Sequence, residues 1–151
     1  MKFKKMEGPL ETAVRLLAPR DHTEMELRLK LQRKKYETQE VDETIEKLRE
    51  KGYLNDERIT RRIIEKMVAE RRHGLMGIAG KLRQLGLQVS NEQIRQYYSE
   101  DEEQEIAYQL VQKHFRSLEE DTFPRVARFL FNRGFSSAIM SRLSDEVRKH
   151  Q

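Results

Sequence analysis

Apolar residues recur three and four positions apart along nearly the whole of this 151-residue chain, and Gly or Pro interrupts them at regular intervals. That pattern predicts nine helices. Leu10 to Ala18 forms the first, ended by Pro19. Thr23 opens the second with Glu26 as its capping-box partner, and Met25, Leu27, Leu29 and Leu31 give it a broad apolar side. Thr38 starts a third with the stripe Val41, Ile45 and Leu48, closed by Gly52 as the left-handed residue after the helix. Asn55 caps a fourth, with Asp56 and Glu57 in its first turn and Ile59, Ile63, Ile64, Met67 and Val68 on its apolar face; Gly74 ends it. The fifth runs from Met76 to Leu85 and closes at Gly86. Ser90 with Gln93 opens a short sixth, and Ser99 with Glu102 opens a seventh carrying Ile106, Leu110, Val111 and Phe115. Thr122 and Pro124 start an eighth, with Val126, Phe129 and Leu130, closed by Gly134. Ser136 starts the ninth, with Ile139, Leu143 and Val147.

The helices group in threes. Leu31-Gln-Arg-Lys-Lys-Tyr36, Leu82-Arg-Gln-Leu-Gly-Leu87 and Leu130-Phe-Asn-Arg-Gly-Phe135 each read as a leucine ending a second helix, a tight turn, an apolar residue and a third helix. The leucines stand 51 and 48 residues apart. Such a recurrence indicates an all-α architecture of three tandem three-helix repeats forming an elongated, curved rod. The expected division is a tail at 1–9 and repeats at 10–54, 55–98 and 99–151. With 36% hydrophobic and 37% charged residues, narrow buried stripes suit this chain better than a spherical core.

Charge adds one feature. Net charge is +2 over residues 1–54, +4 over 55–98 and −2 over 99–151, so the middle third is the positive one. Arg58, Arg61, Arg62 and Lys66 share a helix surface, and Arg71, Arg72, Lys81 and Arg83 extend it. Guanidinium groups suit phosphate and carboxylate alike, so such a surface meets nucleic acid or an acidic protein. The plainer alternative is a solvated helix face interlaced with glutamates.

Chemistry is harder to find. Without cysteine the chain has no disulfide, thiolate nucleophile or thiolate metal site. His22, His73, His114 and His150 are scattered, with no metal-type spacing, and no phosphate loop is present. Gly74, Gly77 and Gly80 are read as helix ends and a close helix approach, and Glu100–Glu103 as a dipole complement in solvent. The second-to-third helix junctions resemble helix-turn-helix corners, but Glu37, Glu40, Asp42, Glu43 and Glu46 would set negative charge against phosphates. No stretch suits export or a membrane span, so the expected setting is the cytoplasm. No enzyme activity, cofactor, metal or small-molecule substrate is expected.

Three segments taken in order resemble the bacterial regulatory protein RecX family: Ala13-Val-Arg-Leu-Leu-Ala-Pro-Arg-Asp-His-Thr-Glu-Met-Glu-Leu-Arg-Leu-Lys-Leu31, Gly52-Tyr-Leu-Asn-Asp56 and Arg128-Phe-Leu-Phe-Asn-Arg-Gly-Phe135. The resemblance covers about residues 10–147. It implies tandem three-helix repeats without catalytic activity. It also implies binding to filaments of the RecA recombinase on single-stranded DNA, with inhibition of ATP hydrolysis and strand exchange and hence of recombination, repair and the SOS response. Members usually carry a G-x-G segment before the fifth helix; here Gly74-Leu-Met-Gly77 departs from it and the run to Leu82 is two residues short.

From charge clustering, Arg15, Arg20, Arg28, Arg61, Arg62, Arg71, Arg72, Lys81 and Arg83 are the candidate contacts to RecA or DNA. Gly52, Gly86 and Gly134 are architectural; Tyr53 and Leu54 are expected to pin the first repeat against the second, with Asn55 and Asp56 capping the next helix. The expected form is a monomer. The alternative is a helical module acting directly on DNA.

Overall fold

The computed structural model describes residues 7–116 and 122–149. Residues 1–6 of the expected tail, the side chain of Val147, and His150 lie outside the described residues. Nine helices and no strand occur among them: α1 Pro9–Leu17, α2 Glu24–Arg33, α3 Thr38–Glu50, α4 Asp56–Glu70, α5 Leu75–Gln84, α6 Asn91–Arg95, α7 Glu100–His114, α8 Phe123–Asn132 and α9 Ser137–Lys149. Two compact units result. One reaches to Thr60 and takes in Leu85–Leu87; the other holds Arg61–Gln84 and continues from Gln88.

Local chemistry starts these helices where the pattern places them. Thr23 Oγ1 accepts the Glu26 N–H at 3.1 Å while Glu26 reaches back to the Thr23 N–H. Ser90 and Gln93 repeat that exchange, and Ser99 Oγ accepts the Glu102 N–H at 3.1 Å. Asn55 Oδ1 accepts the Arg58 N–H at 3.1 Å. Asp56 acts elsewhere: its carboxylate accepts the Glu24 N–H at 3.1 Å and so caps α2, not the helix it begins.

The three second-to-third helix turns share one geometry. Leu31, Leu82 and Leu130 are buried. Four residues after each, Lys35, Gly86 and Gly134 have φ of 65°, 78° and 82°. Of the residues that follow, Leu87 and Phe135 are buried and Tyr36 packs partly buried against the first unit's core. At the third turn the Phe135 N–H reaches the Leu130 carbonyl at 3.0 Å, closing the last helical turn. Gly52 at φ 77° ends α3 in the same way.

In the first unit Ala13, Leu27, Leu31, Val41, Ile45, Leu48 and Leu54 form the core, flanked by Leu10, Leu16, Leu17 and Tyr36. The α2 expectation needs correction here. Only Leu27 and Leu31, four apart, face inward; Met25 and Leu29 alternate with them and are 37% and 43% exposed. Leu54 packs into this core, but Tyr53 is 58% exposed, so its ring pins nothing.

The second unit buries Ile64, Ile78, Leu82, Ile94, Tyr98, Ile106, Val111, Leu130, Phe135 and Leu143, among others. Two expectations fail in it. Helix α4 stops at Glu70, and the residue that turns left-handed is Arg71 with φ 54°, not Gly74. Gly74 instead lies against the α8–α9 turn: its N–H donates to the Arg133 carbonyl at 2.8 Å, the Met76 N–H donates to the Gly134 carbonyl at 2.9 Å, and a methyl at Gly74 would overlap the Gly134 carbonyl. The expected close approach of backbone is real, and α5 begins at Leu75 despite the shortened segment.

The second failure is Glu103, placed by its sequence neighbours in a solvated acidic run. It is fully buried and accepts from Arg95 at 2.8 Å and from the Leu75 N–H at 2.7 Å, so it caps α5 from another helix. Beside it, burial pushes the Tyr98 phenol up, and its hydroxyl donates to the His73 carbonyl at 2.8 Å. Glu103→Ala strands both the Arg95 charge and a helix N–H; urea unfolding should show a loss of about 3 kcal/mol. Glu103→Gln, which still accepts the N–H, should lose less. An alanine variant as stable as the parent would exclude this role.

Candidate interaction surface

The nine cations singled out by charge clustering divide between the two units. In the first, each is held by a carboxylate. Arg15 pairs with Glu7 at 2.8 Å, Arg20 with Glu26 at 2.8 Å, and Arg28 with Asp42. Arg20 also donates to the Asp21 carbonyl at 3.0 Å. Burial alone would raise the Glu26 carboxyl, but hydrogen bonds from Arg20 and the Thr23 N–H outweigh it and hold the group below the usual range.

In the second unit, Arg61 and Arg62 lie exposed on α4. Arg61 pairs with Glu65 four residues on at 2.9 Å, and its guanidinium sits 5.8 Å from the ring centre of Tyr97, itself 40% exposed. Past the helix end, Arg71 donates to Gln109 at 2.7 Å, and Arg72 pairs with Glu70 at 2.6 Å. Lys81 and Arg83, in the last turn of α5, are exposed and have no ion pair or side-chain hydrogen bond among the described residues.

This sorts the candidates by what a partner would meet. An arginine already bridged to a carboxylate presents a dipole, and its net attraction for an anion is reduced; Lys81 and Arg83 present whole charges. Two further groups were not singled out from sequence. Arg33, which ends α2, and Lys34 and Lys35 after it are exposed in succession, with no carboxylate partner among the described residues. Their signal was the adjacency itself. Tyr97 had none, because only the fold shows that its ring is exposed beneath Arg61.

His22 is nearly fully buried in the first unit. Its Nδ1–H donates to the Arg20 carbonyl at 3.1 Å, and Nε2 accepts from Lys30 Nζ at 2.7 Å. Burial, with Arg20 and Lys30 adding repulsion, lowers its pKa below the ordinary value of 6.5. Among the described residues no cluster of His, Asp and Glu could hold a metal ion, and no helix is long and apolar enough to cross a membrane.

The described fold is that of a helical protein built from three-helix repeats. Residues 10–48 match the family model described as RecX, first three-helix domain. The chain is 30% identical over 144 residues to the regulatory protein RecX of Syntrophotalea carbinolica, covering 91% of this chain and 94% of that one. It is 34% identical over 143 residues to the regulatory protein RecX of Vibrio vulnificus, covering 91% and 92%. The crystal structure of RecX from Lactobacillus salivarius superposes with a TM-score of 0.80 at 18% identity, over 93% of this chain and 94% of that one, and shows the same fold. The chain belongs to the RecX family of regulatory proteins.

The His22 environment makes stability depend on pH with a definite sign. The folded state favours neutral imidazole, so the unfolded chain binds more protons below the unfolded value near 6.5. This contribution is complete above that value and is lost as pH falls from there toward the lowered folded value. Thermal melts between about pH 5.5 and 7.5 should show stability falling on the acid side, and His22→Asn should flatten that slope. The Glu26 titration lies below about pH 4.5 and leaves this window clear.

Proposed function

We propose that this chain is a non-enzymatic regulator of RecA. It binds RecA filaments on single-stranded DNA and lowers their ATP hydrolysis and strand exchange, thereby modulating recombination, DNA repair and the SOS response. The observation that carries this reading is the family membership along nine-tenths of the chain, joined to a helical fold that exposes Lys81 and Arg83 with no ion pair among the described residues. It acts as a monomer in the cytoplasm, without cofactor or small-molecule substrate.

The mechanism follows from repetition. Repeats at 10–54, 55–98 and 99–151 give three similar units able to meet successive identical subunits of a filament. Linked weak contacts then add through effective concentration. A protein fixed across several subunits inhibits turnover by restraining the motions each needs, or by standing where a second DNA strand must enter. Contacts come from Arg15, Arg20, Arg28, Arg61, Arg62, Arg71, Arg72, Lys81 and Arg83. Lys81 and Arg83 should contribute most, because neither must first leave a carboxylate.

A second reading, direct action on DNA, is favoured by the same unpaired cations and by the Arg61–Tyr97 pair, on which a base could stack. The readings separate in one assay: RecA ATP hydrolysis on single-stranded DNA, with this protein titrated below stoichiometry. Inhibition that persists in excess DNA supports filament binding; inhibition abolished by added DNA supports competition for the strand.

In that assay, Lys81→Glu/Arg83→Glu should raise the half-inhibiting concentration by about tenfold, corresponding to about 1.4 kcal/mol of contact. Charge reversal at Arg61, Arg62, Arg71 and Arg72 together should weaken inhibition further. Full inhibition by both variants would remove the basic surface from the mechanism.

A further inference from the structure

Of the three turns that follow a buried leucine, two place glycine at the left-handed position, Gly86 and Gly134. The turn after α2 places Lys35 there, with φ 65°. Glycine enters this region freely, whereas an L-residue sets its own Cβ against the following carbonyl; asparagine and aspartate, not lysine, are the usual exceptions. A lysine kept in that conformation calls for a use of its side chain outside the fold.

The rest of the turn narrows that use. Arg33, Lys34 and Lys35 are exposed in succession, with no ion pair or side-chain hydrogen bond among the described residues. From Arg33 to Glu37 the net charge is +2, three cations against one carboxylate. Other acids close by are committed: Glu7 pairs with Arg15 at 2.8 Å, and Glu40 accepts the Glu37 N–H at 3.3 Å. The backbone is fixed on both sides. Before the turn Leu31 is buried, and the Lys34 and Lys35 N–H groups donate to the Leu31 and Gln32 carbonyls at 3.1 and 2.9 Å. After it the Tyr36 hydroxyl lies 2.8 Å from Thr12 Oγ1 and donates to the Glu7 carbonyl at 2.7 Å. The charges therefore sit on a backbone already ordered before a partner arrives.

Residue type chooses between an acidic protein and a nucleic acid. Protein interfaces favour aromatic residues, methionine and arginine, and are poor in lysine. This turn has two lysines and no bare apolar group, since Tyr36 is half-buried with its hydroxyl engaged. Lysine is a compact point charge suited to phosphate, and contact with phosphates needs no base to be read. The acidic residues of α3 oppose laying that helix along a strand, which confines the contact to the turn.

We propose that Arg33, Lys34 and Lys35 bind the phosphate backbone of DNA. The inference deepens the second reading above, direct contact with DNA, and rests on it. It adds a contact in the first unit, at residues that charge clustering along the chain passed over.

Fluorescence anisotropy of a labelled oligothymidine strand tests this, with the full chain titrated at salt between about 50 and 200 mM. Lys35→Gly removes one charge and relieves the backbone. Its thermal midpoint should be no lower than that of the wild type, while its slope of log affinity against log salt becomes shallower by about 0.7. Arg33→Gln/Lys34→Gln/Lys35→Gln should lose about 2 from that slope, and Lys35→Arg should bind as the wild type does. If the wild type binds and the triple variant keeps its affinity and slope, the turn is excluded while direct contact with DNA stands. No binding by the wild type overturns both. A lower midpoint for Lys35→Gly would mean that the lysine serves the fold, and that result also overturns the proposal. So does a triple variant that binds DNA normally but inhibits RecA ATP hydrolysis less, which would assign the turn to a protein partner.

Discussion

Everything in this fold hangs on a chain reversal made in the left-handed region of backbone space directly after a buried leucine. Leu31, Leu82 and Leu130 anchor the ends of α2, α5 and α8, and the residues four further on turn the chain so that the next apolar side chain, Tyr36, Leu87 or Phe135, is drawn out of solvent. Burying one leucine stabilises by roughly 1.5–3 kcal/mol, and it does so only if the reversal puts a third helix over it. Repeating this device lets a chain with only 36% hydrophobic residues build a core from narrow stripes.

Helices, caps and inward stripes were legible in the sequence because each depends on residues within about four positions of one another. Thr23 with Glu26 and Ser90 with Gln93 are of this kind, as is the Val41–Ile45–Leu48 stripe. What escaped depends on partners distant in sequence. Glu103 reads as the end of a solvated acidic run until Arg95 and the Leu75 N–H close around it. Gly74 reads as a helix stop until the Arg133 carbonyl arrives beside it, and Asp56 reads as a dipole complement to its own helix until Glu24 offers a bare N–H. Met25 and Leu29 were misread for a local reason: four apolar residues at alternate positions cannot all share one face of a helix.

The candidate surface was legible to residue type and no further. Composition and spacing locate an excess of arginine in the middle third, but whether an arginine is open to a partner depends on the carboxylate beside it. Glu65 and Glu70 engage Arg61 and Arg72, whereas no carboxylate among the described residues engages Lys81 and Arg83. A surface dense in both signs hides its free charges among neutralised ones, and side-chain geometry is needed to tell them apart.

The reach of Asp56 back to Glu24 bears on where this chain can be divided. A fragment cut after Leu54, at the apparent end of the first repeat, would retain the whole apolar core around Leu31 and Ile45. It would nonetheless leave the first N–H of α2 without its carboxylate, and the Thr23 hydroxyl without the Leu85 carbonyl. Each repeat boundary in the alphabet of residues is therefore crossed by hydrogen bonds in space, and the segment that folds is longer than the segment that repeats.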